Sequence, residues 1–401
     1  MVRAANAGLR VKVVGAGHSF TDAACTDGIL LSLDRLNSIE NIDPEHHRVT
    51  VQAGIRLYDL NDKLAAAGLA MPNLGDIAYQ SIAGAIGTAT HGTGLMFGNL
   101  ATTIVGMEIV TGSGELLWCD AETNAEVWRV ARVGIGALGV VTKVTIQCVP
   151  AFNLRVNETV EPLDDLLANF HDHVTATDHF EFFWMPGTRR AQVKRNERTQ
   201  DDANPPSKVS HFRDKIIAEN VAFGAVNRVG RRFPGIAPKV AKLMASGVSE
   251  RSFVDRSDRV FASPRLVKFY EMEYGLPIEA LPEAFDRVRS YMKSLAMPNF
   301  FPIECRVSAA DDIPLSTGFG RTSAWIACHV YQGTSYDAYF QGVEQILNDY
   351  EGRPHWGKLH FQNAASLAER YPEWDAFAAV RDQIDPDRRF ANAYLDRVLG
   401  A

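Results

Sequence analysis

The sequence has few cysteines, no long apolar run and no excess of basic residues, and each absence excludes a class of protein. Its five cysteines are scattered and never spaced as Cys-x-x-Cys, which argues against a disulfide framework and against a zinc site. No stretch approaches the ~20 apolar residues of a membrane span, and no charged segment followed by an apolar one marks a signal peptide. These absences predict a cytoplasmic protein with no metal site and no membrane span.

The charge balance argues against a general nucleic-acid surface. Lys and Arg number 41 against 48 Asp and Glu, so the formal net charge is -7, whereas nucleic-acid-binding surfaces are basic. Contents of 46% hydrophobic and 22% charged residues are those of an ordinary globular protein. With 401 residues we expect two domains, because a single core stops growing at about 250–300 residues.

Short apolar runs and Gly-rich turns alternate in residues 1–150, a pattern that predicts a mixed α/β domain. The predicted strands are residues 11–14, 29–33, 49–52, 104–111 and 140–148, and one amphipathic helix is predicted over residues 57–67. Beyond Pro150 the residues become more aromatic and charged, so we place a domain boundary there.

The later part of the chain is predicted to contain a second sheet. Residues 268–274, 303–307 and 325–331 alternate with period two, as strands with one wetter face do. This period puts Glu304 and Arg306 on one side of their strand, and likewise His329 and Tyr331. Residues 214–245 are interpreted as a basic helical segment with a solvated face, and the chain is predicted to turn helical again after residue 371.

Three glycine-rich segments in the first domain predict a bound nucleotide. The first, Gly15-Ala16-Gly17, follows a strand and precedes His18, but a dinucleotide fingerprint needs a third small residue and a helix. Here Phe20 takes the third position and a turn-like sequence follows, so a nicotinamide-type site is poorly supported. The others are residues 73–98 and 133–142. Glycine loops let the backbone approach a phosphate and donate N–H groups to it without such a helix.

These segments carry a resemblance to a known family. GAGHSFTD, SIAGAIGTATHGTG and VGIGALGVVT resemble the FAD-binding domain of the vanillyl-alcohol oxidase superfamily. With Glu-Cys-Arg at 304–306, His-Trp-Gly-Lys at 355–358 and the closing DPDRRFANAYL, nearly the whole chain is similar to the sugar-1,4-lactone and alditol oxidases. The resemblance implies an α+β fold with a PCMH-type FAD-binding domain in residues 1–150 and a substrate cap on an antiparallel sheet in residues 151–370. Residues 371–401 would return to the FAD domain.

The resemblance also implies FAD as the cofactor, joined covalently to the imidazole of His18 through the 8α-methyl carbon of the flavin. A covalent link raises the reduction potential of the flavin and prevents its loss, while the flavin performs the redox step. The alternative is that His18 only hydrogen-bonds a phosphate or a loop carbonyl. His91 is interpreted as tying loop carbonyls. The cofactor contacts assigned in this way are Val14, Gly15, Ala16, Gly17, His18, Ser19, Gly75, Ser81, Gly84, Thr88, His91, Gly92, Gly136, Gly139 and Val140.

By their positions in the family motifs, Glu304 and Arg306 resemble a pair that faces the substrate, and Lys358 resembles a lysine close to flavin N5. Removing a hydride from an alcohol carbon leaves a proton to be taken up and charge to be stabilised, which suits these residue types. The alternatives are a same-face ion pair without a catalytic part and a surface lysine. Thr93 lies where the family places a small hydroxyl residue near the substrate and is a weaker candidate. His329 and Tyr331 are further candidates for substrate contact, although both can equally be satisfied buried side chains.

The predicted reaction is oxidation of the C2 hydroxyl of an aldono-1,4-lactone, of the L-gulono-1,4-lactone or D-arabinono-1,4-lactone type, by hydride transfer to flavin N5. Oxygen or another acceptor would reoxidise the flavin. One alternative is an alditol oxidase acting on a terminal hydroxyl of a polyol, and another is a flavin-binding protein without turnover. The sequence does not set the oligomeric state.

The first residues read as the last turn of a helix that Gly8 ends. The resemblance implies a strand and a helix before this point. We therefore expect the natural protein to start earlier, and residues 1–401 alone to bind flavin incompletely.

Overall fold

The computed structural model describes residues 1–207, 250–263, 267–295 and 301–401. The predicted basic helical segment at 214–245 lies outside these residues. Within them the helices are α1 Val2–Asn6, α2 Leu57–Ala66, α3 Ile82–Gly87, α4 Ala125–Ala131, α5 Leu163–Ala168, α6 Phe170–Thr175, α7 Ser257–Phe261, α8 Leu281–Ser294, α9 Asp337–Asn348, α10 Ala364–Ala368, α11 Trp374–Ile384 and α12 Ala393–Leu399.

The strands of the same ranges are β1 Val11–Val14, β2 Ile29–Ser32, β3 Ile39–Asp43, β4 Arg48–Gln52, β5 Leu69–Ala70, β6 Ile104–Val110, β7 Leu116–Asp120, β8 Val140–Gln147, β9 Val149–Pro150, β10 Asn153–Pro162, β11 His179–Trp184, β12 Arg190–Thr199, β13 Arg251–Arg256, β14 Phe269–Pro277, β15 Ile303–Ser308, β16 Ser323–Tyr331 and β17 Arg353–Pro354. All the strands predicted from the sequence form, with ends shifted by one or a few residues.

A five-stranded antiparallel sheet, in the order β3-β4-β8-β6-β7, organises the first third of the chain. The predicted helix α2 packs on its core through Leu57, Leu60 and Leu64, which are spaced along one helical face. β1 and β2 form a separate parallel pair. After β1 the chain makes only a three-residue 3-10 turn at Asp22–Ala24, so the helix of a dinucleotide fingerprint is absent there, as predicted.

An eight-stranded antiparallel sheet, in the order β13-β10-β12-β11-β15-β16-β14-β17, forms most of the remainder. One face carries apolar side chains such as Phe182, Met272, Cys305 and Ile326, which pack with α5, α6, α8 and α9. Residues at alternate positions point to the other face, and that face is lined by charged side chains. Helices together with antiparallel sheets confirm the predicted α+β class.

The end of the chain packs against its beginning. The Val11 amide donates to the Arg389 carbonyl at 2.8 Å, and the Asn392 side chain donates to the carbonyls of Asp22, Ala23 and Cys25. Residues 389–392 therefore fix the loop that follows β1. Among the described residues, no helix combines the length and apolarity needed to cross a bilayer.

Candidate active site

The loop that follows β1 presents His18 at the protein surface. Gly15 packs so closely on Ser81, the N-cap of α3, that a Cβ at Gly15 would lie 2.1 Å from Ser81 Oγ. Gly17 has φ +68°, which favours glycine. Partial burial, followed by the charges of Arg56 and Lys358, lowers the pKa of His18. At neutral pH its imidazole is therefore neutral and keeps a lone pair.

The three glycine segments converge on this loop. Gly15 brings the first against Ser81 and Gly84 of the second, where the Ser81 hydroxyl accepts the Gly84 amide at 3.3 Å. The third meets β1 through Lys12, whose Nζ donates to the Gly136 carbonyl at 2.9 Å. Thr88 lies one helical turn beyond Gly84 and donates to its carbonyl.

At four other predicted cofactor positions, contacts within the protein account for the residue that is present. A Cβ at Gly75 would lie 3.0 Å from the His91 carbonyl, and one at Gly92 would lie 2.3 Å from the Leu74 carbonyl. These glycines let residues 73–75 and 90–93 pack backbone to backbone. Gly139, at φ +144°, packs on β6, and Val140 lies in a small core cluster with Val11 and Phe390. For these four residues the structure gives a packing role, and cofactor contact stays a prediction.

Lys358 joins the His18 loop to the charged face of the eight-stranded sheet. The Phe20 amide donates to the Gly357 carbonyl at 2.8 Å, which holds the two loops together. Lys358 Nζ lies 5.2 Å from the centre of the Phe20 ring and forms an ion pair with Glu271 of β14. The predicted lysine is therefore a partly buried residue with defined partners and not a free surface lysine.

Arg306 lies at the centre of a carboxylate cluster on the same face. Its guanidinium pairs with Asp76 at 2.6 Å, with Glu181 at 3.0 Å and with Glu304. Burial lowers the pKa of Arg306, but the three carboxylates outweigh it and raise that pKa well above its usual range. Lys194 also pairs with Glu181, at 3.1 Å. Glu304 and Arg306 thus form an ion pair, within a larger network that joins Asp76 to the sheet, and their contact with the substrate stays a prediction.

The weaker substrate candidates lie in different surroundings. The Thr93 hydroxyl donates to the Phe180 carbonyl and accepts the Val307 amide at 3.2 Å, so it links its loop to β11 and β15. His329 donates from Nδ1 to the Pro302 carbonyl at 3.1 Å, because a carbonyl only accepts, and its Nε2 lies 3.4 Å from Glu271 Oε1. Tyr331 is half-buried at the end of β16. Only His329 of the three directly contacts a partner of Lys358.

A second polar cluster contains His91, Glu273 and His355, all buried. His91 stacks on Trp325 with ring centres 3.6 Å apart, donates from Nδ1 to the Gly92 carbonyl at 2.8 Å, and places Nε2 3.3 Å from Glu273. His355 Nδ1 accepts the Gly357 amide at 3.0 Å, so its hydrogen is on Nε2. Burial lowers the pKa of His355 to about 3. With that hydrogen, Nε2 of His355 is a donor, which favours a hydrogen-bonded cluster over a metal site.

Sequence reasoning missed the acidic partners in the site. Asp76, Glu181, Glu271 and Glu273 each contact a cationic or imidazole group of the charged face. One signal was available, because the alternation in KFYEMEY puts Glu271 and Glu273 on one side of β14. Nothing local indicates that this side faces Lys358, which is 87 positions away.

The residues present fit a flavin nucleotide. The loop at residues 15–19 lies against Ser81 and Gly84, provides close backbone approach at Gly15 and Gly17, and presents a neutral imidazole next to Lys358. The charged face of the sheet carries Glu304 and Arg306, and Lys358 is joined to that face through Glu271; these side chains can bind and orient hydroxyl groups. Lys358 thus links a cofactor-type loop to a polar sheet face.

Comparisons with known proteins match both the first and the later part of the chain. The profile described as D-arabinono-1,4-lactone oxidase matches residues 144–398, and one described as FAD binding domain matches residues 1–120. The chain is 43% identical to L-gulono-1,4-lactone dehydrogenase of Mycobacterium tuberculosis over 100% of its own length and 92% of that protein. It is 34% identical to L-gulonolactone oxidase of Bos taurus, over 97% of this chain and 90% of that protein.

Solved structures show the same fold. Cholesterol oxidase from B. sterolicum superposes with a TM-score of 0.80 over 99% of this chain and 92% of that one, at 19% identity. A solvent-stable cholesterol oxidase gives 0.82 over 100% and 92%, also at 19% identity. At this identity the likeness concerns the fold, a PCMH-type FAD-binding architecture.

Proposed function

The chain belongs to the D-arabinono-1,4-lactone oxidase family, and from this membership we propose that it oxidises the C2 hydroxyl of an aldono-1,4-lactone in an FAD-dependent reaction. The substrate is of the L-gulono-1,4-lactone or D-arabinono-1,4-lactone type, as in the names of its relatives. The observation that carries the proposal is Lys358, which contacts the Phe20 ring beside His18 on one side and Glu271 of the charged sheet face on the other.

Bound FAD supplies the two-electron acceptor for the hydride that leaves C2. The residues that would hold it are the loop at 15–19, the start of α3 with Ser81 and Gly84, and the segment at 136–140. We propose a covalent bond from His18, and the lowered pKa of His18 supports it. A neutral imidazole has the lone pair that forms such a bond, whereas an imidazolium has none.

The protein residues bind the lactone and control its hydroxyl proton. Lys358 provides a fixed ammonium beside the reacting hydroxyl, where it stabilises negative charge developing on oxygen. Glu304 accepts hydrogen bonds from neighbouring hydroxyls. Arg306 holds Glu304 in place and balances the charge of the carboxylate cluster.

Anaerobic mixing with substrate tests the reaction. Loss of the oxidised-flavin absorbance on addition of L-gulono-1,4-lactone, with little change on addition of xylitol, is the expected result. Bleaching by xylitol alone would indicate the polyol alternative, and a flavin that stays oxidised with xylitol, L-gulono-1,4-lactone and D-arabinono-1,4-lactone would exclude turnover. Repeating the assay with oxygen and with an artificial dye identifies the electron acceptor.

Acid precipitation tests the covalent link. A yellow pellet is expected from the wild-type protein, because a covalently bound flavin stays with the denatured chain, and a colourless pellet is expected from His18→Ala. A colourless wild-type pellet would mean that the flavin is held without a bond. His171→Ala, at an exposed histidine of α6 outside the predicted cofactor contacts, is the matched control and should keep the colour.

We also propose domain limits at residues 150 and 370, a cytoplasmic location, and substrate contacts for Thr93, His329 and Tyr331.

A further inference from the structure

Glu271 is the only described carboxylate paired with Lys358 within 4 Å. It lies on the charged face of β14, directly opposite His329 of β16 in the sheet register. One carboxylate oxygen contacts Lys358 Nζ, and the other lies 3.4 Å from His329 Nε2. A single side chain therefore holds both a cation and an imidazole of the site.

The backbone of β14 at Glu271 and Glu273 also holds the segment that carries Lys358. The Leu359 amide donates to the Glu271 carbonyl at 2.9 Å, and the His355 amide donates to the Glu273 carbonyl at 2.9 Å. These bonds place residues 355–359 along β14, so that Lys358 meets Glu271 without a long reach. Main chain and side chain of one residue thus act together on the position of Lys358.

The surroundings keep Glu271 ionised. Burial raises its pKa, but the charges and hydrogen bonds of Lys358 and His329 outweigh burial, and the pKa of Glu271 lies well below its usual range. The other groups facing this region are Glu273, His355, His18 and the ring of Phe20. A permanent carboxylate at 271 pairs with the Nζ of Lys358 and restricts where that Nζ can lie.

We propose that Glu271 is the positioning residue of Lys358, holding its Nζ in place so that it acts as a fixed cation toward the reacting hydroxyl. The proposal rests on the proposed lactone oxidation. It differs from a general structural role, because the effect of Glu271 on turnover must pass through Lys358.

A double-mutant cycle separates the two possibilities. Glu271→Gln keeps the shape and removes the charge, and we expect kcat to fall about tenfold or more while KM changes much less. In a Lys358→Met background the same substitution should have little further effect on kcat. Equal losses in both backgrounds would overturn the proposal. Absence of lactone turnover in the wild-type protein would instead refute the proposed function.

A second measurement does not depend on turnover. Acetylation of Lys358 by acetic anhydride at mildly alkaline pH, followed by peptide mass spectrometry, reports how far its amine is held in the ion pair with Glu271. Glu271→Gln should speed this labelling several-fold, Glu273→Gln on the same face should speed it less, and the labelling of Lys194 should not change. Equal effects of the two substitutions, or faster labelling of Lys194 too, would indicate general loosening and overturn the proposal.

Glu271→Asp keeps the experiment decisive if Glu271→Gln does not fold. It retains the charge but withdraws the carboxylate by one methylene group. The proposal is supported if Glu271→Asp lowers kcat in the otherwise wild-type protein but does not lower it further in the Lys358→Met variant. Unchanged kcat and unchanged labelling of Lys358 contradict it.

Discussion

Lys12 should make the stability of this protein depend on pH. It is 1% exposed in the middle of β1, and its Nζ donates to the carbonyls of Gly136 and Phe390. Burial first, and the charge of Arg381 second, lower its pKa from 10.5 to about 7, although Asp385 and Asp396 oppose the shift. Between these two values the unfolded chain binds the proton and the folded protein releases it. The free energy of unfolding therefore rises with pH across this window.

The size of the effect follows from the two pKa values. Between about pH 7 and pH 9, Lys12 should add about 2 kcal/mol to the free energy of unfolding, since one pKa unit corresponds to about 1.4 kcal/mol. Lys12→Met has no group to titrate, so it should lack this increment. It should also be less stable at the higher pH, because the two carbonyls lose their donor.

Urea unfolding followed by tryptophan fluorescence at the two pH values measures the increment. Lys63→Met is the matched control, since Lys63 lies partly exposed on α2 beside Asp59 and its loss should leave the increment intact. The same rise with pH in Lys12→Met as in the wild type would refute the reasoning, because the rise would then come from other groups.

Two further substitutions test the site. Gly15→Ala should lower the flavin content of purified protein, because the new Cβ would clash with Ser81 Oγ. Gly87→Ala is the control and should keep the flavin content, because its Cβ would meet nothing within 4 Å. Equal flavin content in the two variants would contradict this prediction. Arg306→Met leaves three carboxylates crowded in a buried site, and we expect it to abolish turnover and to destabilise the protein by about 3–5 kcal/mol in the same urea assay. Near-wild-type stability at neutral pH would show that the cluster does not need this cation.

Local pattern was sufficient to predict eight of the strands, the helix α2 and the family, but it did not predict β10 to β12 or the long helices α8 and α9. The period-two runs at 268–274, 303–307 and 325–331 lie in β14, β15 and β16, and the stripe of leucines in α2 lies on the first core. The motifs around His18, Glu304 and Lys358 indicated an FAD-dependent lactone oxidoreductase, which the family match confirms. These features depend on residues that are close in sequence.

The partners of the charged groups could not be predicted in the same way. Arg306 contacts Glu181, which lies in a strand 125 positions earlier in the sequence, and Lys12 contacts Phe390, which lies 378 positions later. Such pairs depend on strand register and on how the segments pack, which no single stretch contains. Lys12 shows the difficulty, because a lysine inside an apolar strand gives no sign of the carbonyls that receive its hydrogen bonds.

The contact between residues 389–392 and the loop after β1 also sets an order of events during synthesis. Asp22, Ala23 and Cys25 leave the ribosome early, but the amide of Asn392 that binds their carbonyls is made about 370 residues later. The loop bearing His18 therefore reaches its final form only after release of nearly the whole polypeptide. We therefore expect the cofactor to load late, and a chain stopped before residue 389 to retain it poorly.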